Sequence, residues 1–140
     1  MTVKQPEVLA LRDQWGRVAR DLRVSLTDRC NLRCSYCMPP EGLDWLATEE
    51  TLTDSEVMRL LRIAVDMLGI EEIRFTGGEP LLRRSLLQII EYAHSLRTIH
   101  GTAPELSLTT NALGLDKKAR ALADAGLSRV NVSMDSVDPE

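Results

Sequence analysis

Leu22-Arg23-Val24-Ser25-Leu26-Thr27 runs straight into Asp28-Arg29-Cys30-Asn31-Leu32-Arg33-Cys34-Ser35-Tyr36-Cys37. The first six residues alternate, with Leu22, Val24 and Leu26 on one side and Arg23, Ser25 and Thr27 on the other. A period of two marks a β-strand, and the cysteine segment follows it as a loop. The same alternation returns downstream over 73–76, 106–110 and 130–134. Helical periods fill the gaps. Thr53-Asp54-Ser55-Glu56 is a capping-box start for a helix with Val57, Leu60, Leu61, Ala64, Val65 and Leu68 on one face, stopped by Gly69. A second helix is expected over 85–96 on Leu86, Leu87, Ile89, Ile90 and Ala93, and a third over 116–125, closed by Gly126. The order βαβαβαβ with short connections predicts parallel strands joined by right-handed crossovers, an α/β fold.

The chemistry of the two strand faces carries further. Leu22, Val24, Leu26, Ile73, Phe75, Leu106, Leu108, Val130, Val132 and Met134 form an apolar set. Arg23, Ser25, Thr27, Arg74, Thr76, Ser107, Thr109, Asn111, Asn131, Ser133 and Asp135 form the opposite, polar one. A closed eight-stranded barrel fills its interior with branched apolar side chains, and a doubly wound sheet is apolar on both faces. Neither fits. The pattern predicts a curved parallel sheet whose concave, wet face lines a ligand cavity. Residues 1–21 are polar and read as an N-terminal arm, with 22–140 as the body.

Composition narrows the class. The 140 residues are 44% hydrophobic and 27% charged with a net charge of −4, ordinary for a soluble domain and no support for nucleic-acid binding. Arg12, Arg17, Arg20, Arg23, Arg29 and Arg33 nonetheless outnumber Asp13, Asp21 and Asp28 near the cysteines. No apolar signal core and no membrane-length run is visible, so neither a membrane nor an export route is expected, and the cytosol is the expected compartment.

All three cysteines fall in C-x3-C-x2-C spacing. Their odd number and short loops argue against disulfides. A structural zinc would need a fourth ligand, and the histidines, His94 and His100, lie far downstream. A four-iron cluster fits better, because three thiolates leave one iron open for reaction. Both metals stay in contention on spacing alone. Gly77-Gly78-Glu79-Pro80 ends the second strand, where parallel α/β sheets place ligands and where glycine lets backbone approach closely. Glu79 is expected to hydrogen-bond to ligand or backbone rather than to act as an acid or base, and no residue is assigned as catalytic. Tyr36, Trp15 and Trp45 could equally be packing aromatics, Asn31 and Arg33 read as loop residues, and Thr109, Asn111, Ser133 and Asp135 could cap the helices that follow.

Cys30-x3-Cys34-x-Tyr36-Cys37 together with Gly77-Gly78-Glu79-Pro80 resembles the radical S-adenosylmethionine (SAM) superfamily. The resemblance implies a partial (βα)6 barrel, here its first four parallel strands with their helices. It implies that Cys30, Cys34 and Cys37 hold a [4Fe–4S] cluster whose fourth iron is chelated by SAM. Within that superfamily, nearly the whole chain resembles the GTP 3′,8-cyclase family of molybdenum cofactor biosynthesis. The stretches that carry this are 22–34, Gly42-Leu43-Asp44-Trp45, 73–83, Leu108-Thr109-Thr110-Asn111 and 129–136. Matched position by position, Tyr36, Gly77, Gly78 and Ser133 would contact SAM, and Arg23, Arg74 and Thr109 would contact GTP. Ala112 departs mildly, since glycine is common there.

The same resemblance implies an external electron donor, a homodimer and functional coupling to cyclic pyranopterin monophosphate synthase. It also implies a second, C-terminal cysteine triplet for another [4Fe–4S] cluster, which this sequence does not contain. The chain therefore reads as the N-terminal portion of a longer enzyme. Other readings are a peptide-modifying radical SAM maturase and a non-catalytic iron–sulfur or zinc module. For Arg23 and Arg74, pairing with a cavity carboxylate such as Asp135 is the alternative to substrate binding.

Overall fold

The computed structural model describes residues 8–138. It contains four strands, β1 (Asp21–Ser25), β2 (Glu72–Thr76), β3 (Glu105–Thr110) and β4 (Arg129–Val132). Three helices connect them: α1 (Asp54–Leu68), α2 (Leu86–Ser95) and α3 (Leu115–Ala125). Short 3-10 turns occupy Thr48–Glu50 and Pro80–Leu82. All neighbouring strands are parallel, in the order β1-β2-β3-β4, as the alternating pattern requires. This is the α/β architecture of a partial barrel, with β1 and β4 at its two edges.

The expected capping box starts α1. Thr53 Oγ1 accepts the Glu56 N–H and Glu56 Oε2 accepts the Thr53 N–H at 2.8 Å, satisfying backbone donors a helix start leaves free. Gly69 ends the helix at φ 72°, a conformation that costs a side-chain-bearing residue more. The face so built buries Val57, Leu61, Ala64 and Val65. Leu60, expected on that face, instead lies about half exposed. Ile89, Ile90 and Ala93 of α2 complete the layer over Ile73, Phe75, Leu106 and Leu108, all of which are buried. Each such side chain contributes roughly 1.5–3 kcal/mol when withdrawn from water, so the two central strands anchor the sheet.

Register turns the alternation into rows. Leu22 lies beside Ile73 and Ile73 beside Leu106; Val24, Phe75, Leu108 and Val130 form the next apolar row. On the other face Arg23 pairs with Arg74, Arg74 with Ser107, and Ser107 with Arg129. One row toward the strands' amino ends stand Asp21, Glu72 and Glu105. One row toward the carboxyl ends Ser25 meets Thr76, and Thr109 meets Asn131.

Several boundaries differ from expectation. The strand expected over 22–27 ends at Ser25, because Thr27 Oγ1 accepts the Arg29 N–H at 3.1 Å and Thr27 O is taken by Gly78 N–H. The strand expected over 130–134 ends at Val132. Ser133 still donates its N–H to Thr110 O at 2.9 Å, but β3 turns away at Ala112 (φ 67°) and no partner strand remains. Val132 and Met134, assigned to the packed face, are therefore exposed at the edge. Ser107, assigned to the wet face, is buried. Of the expected arm, residues 1–7 lie outside the described residues, as do 139–140 of the body. Over 8–20 the chain makes a small closed turn, with Arg12 bridged to Val18 and Leu9 N–H bonded to Met67 O.

Candidate functional site

The cysteine loop crosses the carboxyl ends of the sheet one strand at a time. Thr27 O and Arg29 O each accept a hydrogen bond at 2.7 Å from Gly78 N–H and Glu79 N–H, at the end of β2. Asn31 Oδ1 then accepts from Asn111 Nδ2 at 2.8 Å, at the end of β3. Tyr36 finally donates its hydroxyl to Asp135 Oδ1 at 2.7 Å, just beyond β4. Within the loop, Cys37 N–H and Met38 N–H both bond to Cys34 O, and Arg33 Nη1 bonds to Cys30 O and Leu32 O. The Arg33 guanidinium also lies 5.6 Å from the centre of the Trp45 ring. So Arg33 and Asn31, read from sequence as loop residues, shape the loop and tie it to the sheet.

Gly77 and Gly78 make this crossing possible. A side chain at Gly77 would meet Thr27 O, and one at Gly78 would meet Asp28 O and Arg29 O, all closer than atoms can approach. Gly77 also sits at φ 145°. With the Gly78 N–H spent on Thr27 O, the polar groups left over are the Gly77 N–H and the Gly77 and Gly78 carbonyls, which make no hydrogen bond among the described residues. Glu79 is 1% exposed. Its carboxylate accepts from Leu81 N–H at 3.0 Å, Thr110 Oγ1 at 2.6 Å and Asn111 N–H at 2.8 Å. It joins the ends of β2 and β3, so its partners are backbone and Thr110.

Below the loop lie Arg23 and Arg74, side by side in register. Like charges on adjacent positions of a sheet repel unless something neutralises them. Arg129, in the same row, has Glu105 at 3.4 Å. Neither Arg23 nor Arg74 has a side-chain hydrogen bond or ion pair among the described residues, and Arg74 Nε is buried without a partner. Their pairing with a cavity carboxylate such as Asp135 is not seen among the described residues, and Asp135 Oδ1 instead accepts from Tyr36. That bond is the first cause pushing the Tyr36 phenol up to about 12, followed by the charge of Asp135. Thr109 stands half-buried one row above the arginines.

The three cysteines are free, Cys30 and Cys34 half-buried and Cys37 exposed. Among the described residues their side chains do not converge into a group able to hold a metal ion. What fits an iron–sulfur cluster is the donor set: three unpaired thiols in one loop at the carboxyl ends of the strands. Tyr36 and Ser133, expected on one ligand, lie on the loop and just after β4, and the Tyr36–Asp135 bond brings those two segments together. Arg83 escaped the sequence reading as a site-building residue. Its Nη1 holds Leu26 O at 2.7 Å and its Nη2 holds Asp54 Oδ1 at 2.6 Å, fixing the strand end from which the loop departs.

Comparison with known proteins agrees with this geometry. Residues 24–140 match the Radical SAM superfamily. The chain is similar to the GTP 3′,8-cyclase of Corynebacterium glutamicum strain ATCC 13032, 64% identical over 130 residues, which are 93% of this chain and 34% of that protein. It is 61% identical to the GTP 3′,8-cyclase of Streptomyces coelicolor over 93% of this chain and 37% of that one. The corresponding protein of Mycobacterium marinum is 62% identical over 91% and 34%. The chain thus spans about a third of the length of the curated relatives it matches.

Proposed function

The chain belongs to the radical SAM superfamily, and from that premise we propose that it serves a GTP 3′,8-cyclase reaction, the opening step of molybdenum cofactor biosynthesis. The observation that carries the substrate is the uncompensated pair Arg23–Arg74, with Arg74 Nε buried and unpartnered. Two planar guanidinium forks on adjacent strands suit the oxygens of a polyphosphate better than an uncharged peptide. Thr109, one row nearer the loop, offers a hydroxyl to the same ligand. The names of the relatives, at 61–64% identity, support GTP as that ligand.

Cys30, Cys34 and Cys37 would hold the [4Fe–4S] cluster. With SAM bound, that cluster would supply the electron that cleaves SAM and so sets off hydrogen abstraction from the substrate. The rest of the work falls to this chain's own residues. The Gly77 and Gly78 carbonyls offer acceptors to the N–H groups of the SAM amino nitrogen. Tyr36 and Ser133 flank that ligand from the loop and from the end of β4. Glu79 holds the β2 and β3 ends in place and moves no proton. In this reading 1–21 is an arm and 22–140 the opening part of the core domain. An electron donor, a homodimer, cytoplasmic location and coupling to cyclic pyranopterin monophosphate synthase belong to the same proposal. Among the described residues no helix is long and apolar enough to cross a membrane. The second cluster expected of the family has no cysteines in this chain, whose three are all in the loop.

Anaerobic reconstitution tests the reading. The expected outcome is a brown chain with a SAM-induced spectral change and, in a full-length enzyme that also carries the second cysteine triplet, a release of 5′-deoxyadenosine under reductant that depends on GTP. Replacing any one of Cys30, Cys34 or Cys37 with Ala should abolish that release. Zinc uptake in place of iron, or SAM cleavage indifferent to GTP, would contradict it.

A further inference from the structure

The two halves of the cysteine loop are held differently. Its first half is tied to the sheet at Thr27, Arg29 and Asn31. Past Cys34 the bonds are local turns, Cys37 and Met38 to Cys34 O and Gly42 to Pro39 O, until Leu46 N–H reaches back to Asp28 Oδ2 at 2.7 Å, with one exception within the cysteine segment itself. That exception is Tyr36 Oη to Asp135 Oδ1, which spans 99 positions in sequence. It also spans the sheet, since Tyr36 follows β1 and Asp135 follows β4, the two edge strands. Tyr36 is 73% exposed, so packing does not fix its ring. The placement of the Cys34–Cys37 segment against the end of β4 therefore rests on one side-chain contact, while Leu46 and Trp45 tie the far end of the loop back to its start.

We propose that Asp135 is a positioning residue for the SAM site: its carboxylate pegs Tyr36 over the end of β4, setting the distance between the cysteine loop and Ser133. The inference rests on the reading of Tyr36 and Ser133 as SAM contacts. Asp135 needs no contact with SAM for this role. It acts through Tyr36, and in doing so keeps its own charge engaged by the phenol rather than by the arginine pair. A peg of this kind orients a ligand wall without being part of it.

The test uses the whole chain, reconstituted with its cluster, and SAM titrated by calorimetry. Asp135→Ala and Tyr36→Phe should each weaken SAM binding by about three- to tenfold, the range of a modest hydrogen bond. The double variant should be no weaker than either single one. Asp135→Asn should restore near-wild-type affinity, because its amide oxygen still accepts the phenol proton. In the cluster-free chain, Asp135→Ala should speed alkylation of Cys37, while Asp135→Asn should not. Unchanged SAM affinity in Asp135→Ala, or losses that add in the double variant, would overturn the inference. A wild-type chain that carries its cluster yet binds no SAM would instead remove the reading of Tyr36 and Ser133, and the inference with it.

Discussion

Two arginines on and just after the second strand meet opposite surroundings. In the turn after β2, Arg83 is surrounded by acceptors: Leu26 O, Leu52 O, Asp54 Oδ1 and Ser85 Oγ, at 2.6–3.2 Å. In the middle of β2, Arg74 is half-buried, stands beside Arg23, and has a buried Nε with no acceptor at all. Burying a donor without a partner costs stability. A fold that saturates one arginine and starves the other has used the first as a structural link and left the second for something outside itself. The difference separates the frame of the site from its contents.

Variants of the frame should show the largest stability losses. Glu79→Gln puts an amide N–H against a shell of three donors, Leu81 N–H, Thr110 Oγ1 and Asn111 N–H. A loss of roughly 3 kcal/mol in urea unfolding is expected, since buried donors lose a charged acceptor. A near-neutral result would mean that the β2–β3 link is dispensable. Arg83→Ala should cost about 2 kcal/mol by the same measurement, from the carbonyls of Leu26 and Leu52 and the carboxylate of Asp54 left without their partner.

The frame should also respond to acid. Hydrogen bonds from Ser85 and then Arg83 hold the Asp54 carboxyl below its ordinary value. A carboxyl depressed in the folded state adds stability that is complete above its unfolded pKa of about 4 and fades as pH falls through the folded value. Wild-type stability should therefore drop on acidification below about pH 4, and Arg83→Ala should flatten that drop. An unchanged acid limb in Arg83→Ala would assign the depression to Ser85 alone. Arg74→Ala, by contrast, should shift unfolding stability by no more than about 0.5 kcal/mol, because no native partner is lost and a repulsion with Arg23 is relieved.

Much of the frame is legible in the sequence and little of its cross-linking is. The strands are readable because Leu22, Ile73, Phe75, Leu106 and Leu108 alternate with polar residues, a local signal. The α1 start is readable because Thr53 and Glu56 sit three positions apart. The sequence pattern makes β4 longer than it is, because Ser133 and Met134 keep the alternation after the partner strand has turned away at Ala112. Arg83 is not legible because three of its four partners lie 29, 31 and 57 positions away. The Tyr36–Asp135 bond is likewise invisible to any local pattern. Cys30, Cys34, Cys37, Gly77 and Gly78 were readable as a site because residue type and spacing carry their chemistry. Which of Arg23, Arg74 and Arg83 is free to meet a ligand is a property of three-dimensional surroundings alone.

On the proposed function, the contrast between Arg74 and Arg83 is a statement about which of the two would meet GTP. Calorimetric titration of GTP into wild type and Arg74→Ala, beside a SAM titration of each, measures it directly. A charge-assisted hydrogen bond contributes roughly 1.5–3 kcal/mol, so GTP affinity should fall by about one to two orders of magnitude while SAM affinity stays at its wild-type value. GTP affinity equal in the two proteins would contradict the account and take the unpartnered arginine out of the substrate site.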